Sequence, residues 1–127
     1  MEYRINKNSI VSTSVTVGTI AGVATLLIDL PERPYLNWCK YNILVAQEIP
    51  DTATINMPVA FTIGGDTTTV YPFINCNCVQ ATACAIRQNE IYPVVVSTSA
   101  TSGVFRTLRH LACYPNNVLA SIPVTTT

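Results

Sequence analysis

Five cysteines and a single histidine are the residues of this chain best suited to chemistry. Cys76, Cys78, Cys84, His110 and Cys113 are the candidate soft metal ligands, with Cys39 standing apart from them. A structural zinc ion takes four Cys or His ligands, usually from CxxC-type knuckles that splay two thiolates round one ion. The Cys76-x-Cys78 pair is one residue short of such a knuckle. On an extended strand its side chains would point the same way, which permits shared ligation but opposes a bridge between them. The spacing matches no standard finger, so the thiols are expected to act as small buried hydrophobes in a reducing compartment, with no metal and no cofactor. An odd cysteine count and the absence of any Asn-x-Ser/Thr sequon agree with that setting.

Other chemistries fare no better. A nucleophile built from Cys84 or Cys113 with His110 lacks a third group to orient the base. Seven acidic residues are scattered singly, mostly beside turns, and form no carboxylate pair of the glycosidase kind. Gly64-Gly65 precedes no helix start and no Gly-Lys-Ser/Thr, so it reads as a hairpin turn rather than a phosphate cradle. No catalytic residue is expected.

The segment most suited to binding is Pro31-Glu32-Arg33-Pro34-Tyr35-Leu36-Asn37-Trp38. Aromatic side chains on a proline-bracketed loop bring large apolar area with few rotors, which is what protein interfaces use as anchors. Tyr35, Leu36 and Trp38 are the expected contact residues, with Tyr35 at the surface. The competing role for Trp38 is to cap one end of the core. The hydroxyl-rich tail Thr125, Thr126 and Thr127 is expected to be clasped by a neighbouring subunit.

The elements that would position these groups are β-strands. Val, Ile, Thr and Tyr dominate, and short runs are punctuated by Gly, Pro and Asn every 8 to 12 residues or so. Strands are predicted over residues 9–17 and 23–30, joined by a turn at Gly18 or Gly22. Further strands are predicted over residues 41–47, 57–63 and 67–73, the last two flanking Gly64-Gly65-Asp66, whose glycines supply the positive φ of a tight hairpin. Residues 79–87 suit either a strand or a short helix, because Ala81, Ala83 and Ala85 alternate yet permit both. Residues 90–96 and 103–108 form another expected hairpin, and residues 118–124 a last edge strand containing Pro123. The fold expected is all-β: a single domain over residues 1–127, an antiparallel β-sandwich of immunoglobulin-like or jelly-roll-like character with little or no helix.

Charge narrows the partners. Seven basic and seven acidic residues make up only 11% of the 127, against roughly 25% in an ordinary soluble domain. No basic stripe is present to neutralise phosphates, so nucleic acid is not an expected partner. Residues 8–28 carry no charge, but seven Ser and Thr dilute that stretch and alternate with valines. Strands, not a membrane span, are expected there. A neutral, hydroxyl-rich skin with mean hydropathy +0.34 suits a surface largely covered by other subunits.

The expectation is therefore a non-enzymatic structural protein in a symmetric assembly, pairing with itself or with a capsid-like lattice protein as a homo-oligomer. Small, cysteine-tolerant, Thr- and Val-rich β domains are common in bacteriophage particles. By that analogy of texture the expected setting is a virion assembled in a host cytoplasm, with the chain as head decoration, auxiliary capsid or head-tail accessory protein. A carbohydrate- or receptor-binding module using the Tyr35/Trp38 loop is the alternative, and a cysteine-ligated, metal-stabilised domain the third.

Overall fold

The computed structural model describes residues 8–98, 103–108 and Leu111. The described residues form eight strands: β1 (Ser9–Val11), β2 (Ser14–Ile20), β3 (Val23–Leu30), β4 (Lys40–Val45), β5 (Val59–Ile63), β6 (Asp66–Ile74), β7 (Glu90–Thr98) and β8 (Gly103–Thr107). The described residues contain no α-helix, only a 3-10 turn over Ala83–Ala85. The ambiguous alanine segment thus resolves toward the turn, flanked by isolated bridges from Gln80 to Ile74 and from Thr82 to Pro58.

Two of the hairpins follow directly from local chemistry. Ala21 (φ 51°) and Gly22 (φ 82°) join β2 to β3, and Gly64 (φ 62°) and Gly65 (φ 79°) join β5 to β6. Two-residue loops with both centres at positive φ match the twist of the strands they connect. Gly22, not Gly18, makes the first turn. Gly18 lies within β2 opposite Thr25, where an added Cβ would come within 2.8 Å of Leu27 Cδ1.

The strand order is β1-β4-β7-β8-β6-β5-β3-β2, one mixed sheet curled into a half-barrel. This corrects the expected antiparallel arrangement: β1 with β4, β3 with β5, and β6 with β8 run parallel. Period-2 alternation tells which face a residue occupies but not which way its neighbour runs. Parallel neighbours arise here because strands distant in sequence become adjacent after crossovers. Curling follows from β6, which pairs with β5 through Asp66, Tyr71 and Pro72 and with β8 through Phe73 and Ile74. Its register against β5 shifts between Phe61, opposite Tyr71, and Ile63, opposite Asp66, so β6 carries three extra residues over that stretch.

At the opposite side, β1 and β2 lie at the two ends of the order although only Ser12 and Thr13 separate them. One chain segment thus crosses from one edge to the other, and its corner is pinned. The Ser12 hydroxyl donates to Gln47 Oε1, Gln47 Nε2 donates to the Ser12 carbonyl (2.8 Å), and the Ala46 amide donates to Ser12 Oγ (2.9 Å). Just beyond it, the Asp29 carboxylate accepts from Thr13 Oγ1 (2.6 Å), Thr62 Oγ1 (2.7 Å) and the Gly65 amide (2.7 Å), tying together β3, β5 and the β5–β6 turn. Burial alone would raise the Asp29 pKa, but these three hydrogen bonds outweigh it and hold the carboxyl below its ordinary value.

Inside the curl, side chains from every strand form one core in which Leu26, Ile28, Ile43, Val45, Val59, Val94 and Val96 are fully buried. A run of rings threads it: Tyr41 to Tyr35 (5.3 Å between centroids), Tyr35 to Phe105 (6.1 Å), Phe105 to Phe61 (4.9 Å), Phe61 to Phe73 (5.1 Å) and Phe73 to Tyr92 (5.9 Å). Most meet edge to face, the arrangement that ring quadrupoles favour.

Candidate functional site

The loop between β3 and β4 turns one aromatic inward and throws another outward. Pro31 and Pro34 lack amide donors and hold φ near −65°, so the chain leaves β3 in an extended, irregular path. Tyr35 folds back from it: its hydroxyl donates to the Pro31 carbonyl (2.7 Å) and its ring packs on Tyr41 and Phe105. Only 8% of Tyr35 is exposed. Its expected place at the surface is thereby corrected, because the ring completes the aromatic core of its own chain. Burial raises the phenol pKa to about 12, against a smaller lowering by Arg33, whose guanidinium lies 5.6 Å from the Tyr35 ring centroid and 5.8 Å from that of Tyr41.

The next residues are fixed by hydrogen bonds from their backbone amides. The Leu36 amide donates to the Tyr41 hydroxyl (2.8 Å), the Cys39 amide to the Leu36 carbonyl (3.1 Å), and the Trp38 amide to the Val96 carbonyl (2.7 Å). That pattern makes a tight turn with Trp38 in the left-handed region, φ 66°. For a bulky L-residue this conformation costs on the order of 1 kcal/mol. Leu36 is 59% exposed and Trp38 74% exposed. The capping role for Trp38 is overturned: the indole projects from the turn while Tyr35 occupies the core position. Trp38 and Leu36 therefore form a rigidly held apolar tip, and Asn37 beside them is exposed too.

A second apolar strip crosses the outer face of the sheet. Register places Val11 of β1 opposite Leu44 of β4, and Leu44 opposite Ile91 of β7. Val11 and Ile91 are both exposed.

The cysteines are dispersed differently from expectation. Cys39 and Cys84 are half-buried, but Cys76 and Cys78 are exposed, so those two are not core hydrophobes. They sit in a turn, not on a strand. Asn75 Oδ1 accepts from the Asn77 (2.8 Å) and Val79 (3.0 Å) amides, and the Asn75 carbonyl accepts from the Cys78 amide (2.9 Å). This side-chain-capped turn puts Cys78 at φ 65°. Arg106 Nη1 donates to Cys78 Sγ at 3.9 Å. Among the described residues no three Cys, His, Asp or Glu side chains come together as a metal site would require. His110, Cys113 and the tail Thr125, Thr126 and Thr127 lie outside the described residues, as does the expected strand over 118–124. No helix among the described residues is long and apolar enough to cross a membrane.

Two shallow clefts of about 300 Å³ are lined by Glu48, Ile49, Pro50 and Asp51, and by Glu32, Ile63, Gly64, Asp66, Thr69 and Tyr71. Asp66 in the second is occupied locally, accepting from the Thr68 hydroxyl (2.6 Å) and amide (2.9 Å). Neither cleft brings together a nucleophile and a base. Comparison with protein-family models, curated proteins and solved structures finds no match for the chain.

Proposed function

We propose that this chain is a non-enzymatic structural subunit of a symmetric assembly, of the kind that decorates or joins virus particles, and that it docks through the Leu36/Trp38 tip. The observation that carries the reading is Trp38. Its backbone is held in a strained conformation by hydrogen bonds from the Leu36, Trp38 and Cys39 amides in and around the turn, and its side chain is 74% exposed rather than packed in the core. Strain of this sort persists where the surroundings over-determine it, and such positions cluster at functional sites. Tryptophan is among the residues most enriched at the energetic centres of interfaces.

Composition supports the same reading. With as many basic as acidic residues and a pI near 6.5, the chain has little charge repulsion to keep copies apart. The Val11–Leu44–Ile91 strip offers further apolar surface for a lattice neighbour to cover. A small contact repeated many times by symmetry needs little affinity at each copy.

A carbohydrate- or receptor-binding module is the second reading, favoured by the exposed indole, whose face would stack on a sugar ring. Burial of Tyr35 weakens it, because stacking then rests on one ring instead of two. Replacing Trp38→Ala and following particle mass by light scattering, with glycan retention measured in parallel, separates the readings. Loss of assembly supports the structural subunit. Normal assembly with lost glycan retention supports the binding module.

A further inference from the structure

We propose that two copies of the chain pair through β2, antiparallel and in register about Val17, so that the sheet continues across a two-fold axis. The inference shares with the proposed function the idea that the chain associates with itself, but it does not depend on the Trp38 tip.

Among the described residues, β2 lies at the end of the strand order and pairs with β3 alone, along all seven of its residues and without a register break. Its other side presents a row of backbone donors and acceptors, a template for another strand. Proteins that must keep an edge unpaired make it short, charge it, place a proline in it or bulge it. The opposite edge is blunted in this way, since β1 has only three residues. β2 uses none of these devices. Its sequence, Ser14-Val15-Thr16-Val17-Gly18-Thr19-Ile20, has no charge and no proline, and the uncharged stretch runs from Asn8 to Ile28. The nearest acidic group, Asp29, is engaged by Thr13, Thr62 and Gly65.

Self-complementarity selects a second copy as the occupant. A two-fold axis makes the same strand face itself in reverse. Centred on Val17, Ser14 faces Ile20, Val15 faces Thr19 and Thr16 faces Gly18, so all seven residues pair. This register also keeps faces matched. Val15 is buried and Val17 packs against the core from the same side of the strand, so the two Val17 side chains would meet at the axis and carry the apolar layer across it. The residues flanking the ladder, Thr13 on one side and Ala21 and Gly22 on the other, are small, uncharged and exposed. Main-chain hydrogen bonds would supply the affinity, as in strand-addition complexes generally.

The test uses the full chain. Sedimentation over a concentration series should show a monomer–dimer equilibrium, and amide exchange in residues 14–20 should slow as concentration rises. Thr16 and Thr19 are exposed, so the double variant T16K/T19K places cations on the edge without entering the core. It should raise the dimer dissociation constant at least tenfold, abolish the concentration-dependent protection and leave the circular dichroism spectrum unchanged. Trp38→Gly should leave the β2 dimer intact. A chain that stays monomeric at several hundred micromolar overturns the proposal. So does a dimer that resists T16K/T19K without protecting β2, or one that Trp38→Gly abolishes. A dimer that survives Trp38→Gly, alongside larger assemblies that also survive it, sustains β2 pairing while removing the Trp38 tip from the proposed function.

Discussion

Asp29 is where a single atom group holds three parts of the fold, and its removal has a calculable cost. In Asp29→Ala the Thr62 hydroxyl, only 2% exposed, loses its acceptor. An unsatisfied buried donor costs about 1–3 kcal/mol. The Gly65 amide loses its acceptor and Thr13 Oγ1 loses the carboxylate while keeping the Asp29 carbonyl (3.2 Å); both residues are exposed and turn to water, adding together roughly 0.5–1 kcal/mol. The expected loss is about 1.5–4 kcal/mol, a melting temperature lower by roughly 10 °C for a chain of this size. Asp29→Asn keeps an acceptor for Thr62 and Gly65 and should cost about 1 kcal/mol. The pH dependence separates charge from shape. Because the folded-state pKa is depressed, the carboxylate stabilises the fold fully above the unfolded value of about 3.9. That contribution is lost as pH falls through the folded value. Urea unfolding of wild type and Asp29→Asn at neutral pH and at about pH 3 should therefore show the gap between them shrinking in acid. A wild-type midpoint for Asp29→Ala, or an equal gap at both pH values, would refute the reasoning.

Tyr35→Phe removes one hydrogen bond to Pro31 while keeping the ring, and should cost about 1 kcal/mol in urea unfolding. The same phenol makes the fold alkali-sensitive. With its pKa raised to about 12, its stabilising neutral form is fully effective below the unfolded value of about 10, and the contribution disappears as pH rises through 12. Absorbance of tyrosinate against pH, compared between wild type and Tyr35→Phe, should show one phenol missing from the late phase. The exposed thiols of Cys76 and Cys78 should react with a disulfide reagent in the folded protein well before Cys39 and Cys84, as read by peptide mass mapping; equal rates for the four would contradict the burial described.

Local chemistry made most of the strands readable. Alternation in β2, the dense apolar run of β3 and the Gly64-Gly65 pair each point to one structure, and β3 appears with its expected bounds. The direction of strand pairing was not readable, because a period of two is the same for parallel and antiparallel neighbours. The turn carrying Cys76 and Cys78 has a local signal in Asn75, whose side chain caps the backbone two and four residues on. The exchange of roles between Tyr35 and Trp38 had none. Both are large aromatics three residues apart in an irregular loop, where no periodicity assigns a face. The inward choice depends on Tyr41, Phe105 and the Pro31 carbonyl, which distant strands bring together.

The most direct test of docking through Trp38 is the light-scattering mass of Trp38→Gly at assembly concentration, read beside its urea midpoint. Glycine accepts φ 66° freely, so the isolated variant should be as stable as wild type or more stable by up to about 1 kcal/mol. Assembly should fail, because the 74% exposed indole offers on the order of 150 Å² to a partner, worth at most about 4 kcal/mol per contact. A variant that assembles at the wild-type concentration would contradict the account, and so would one that loses its fold.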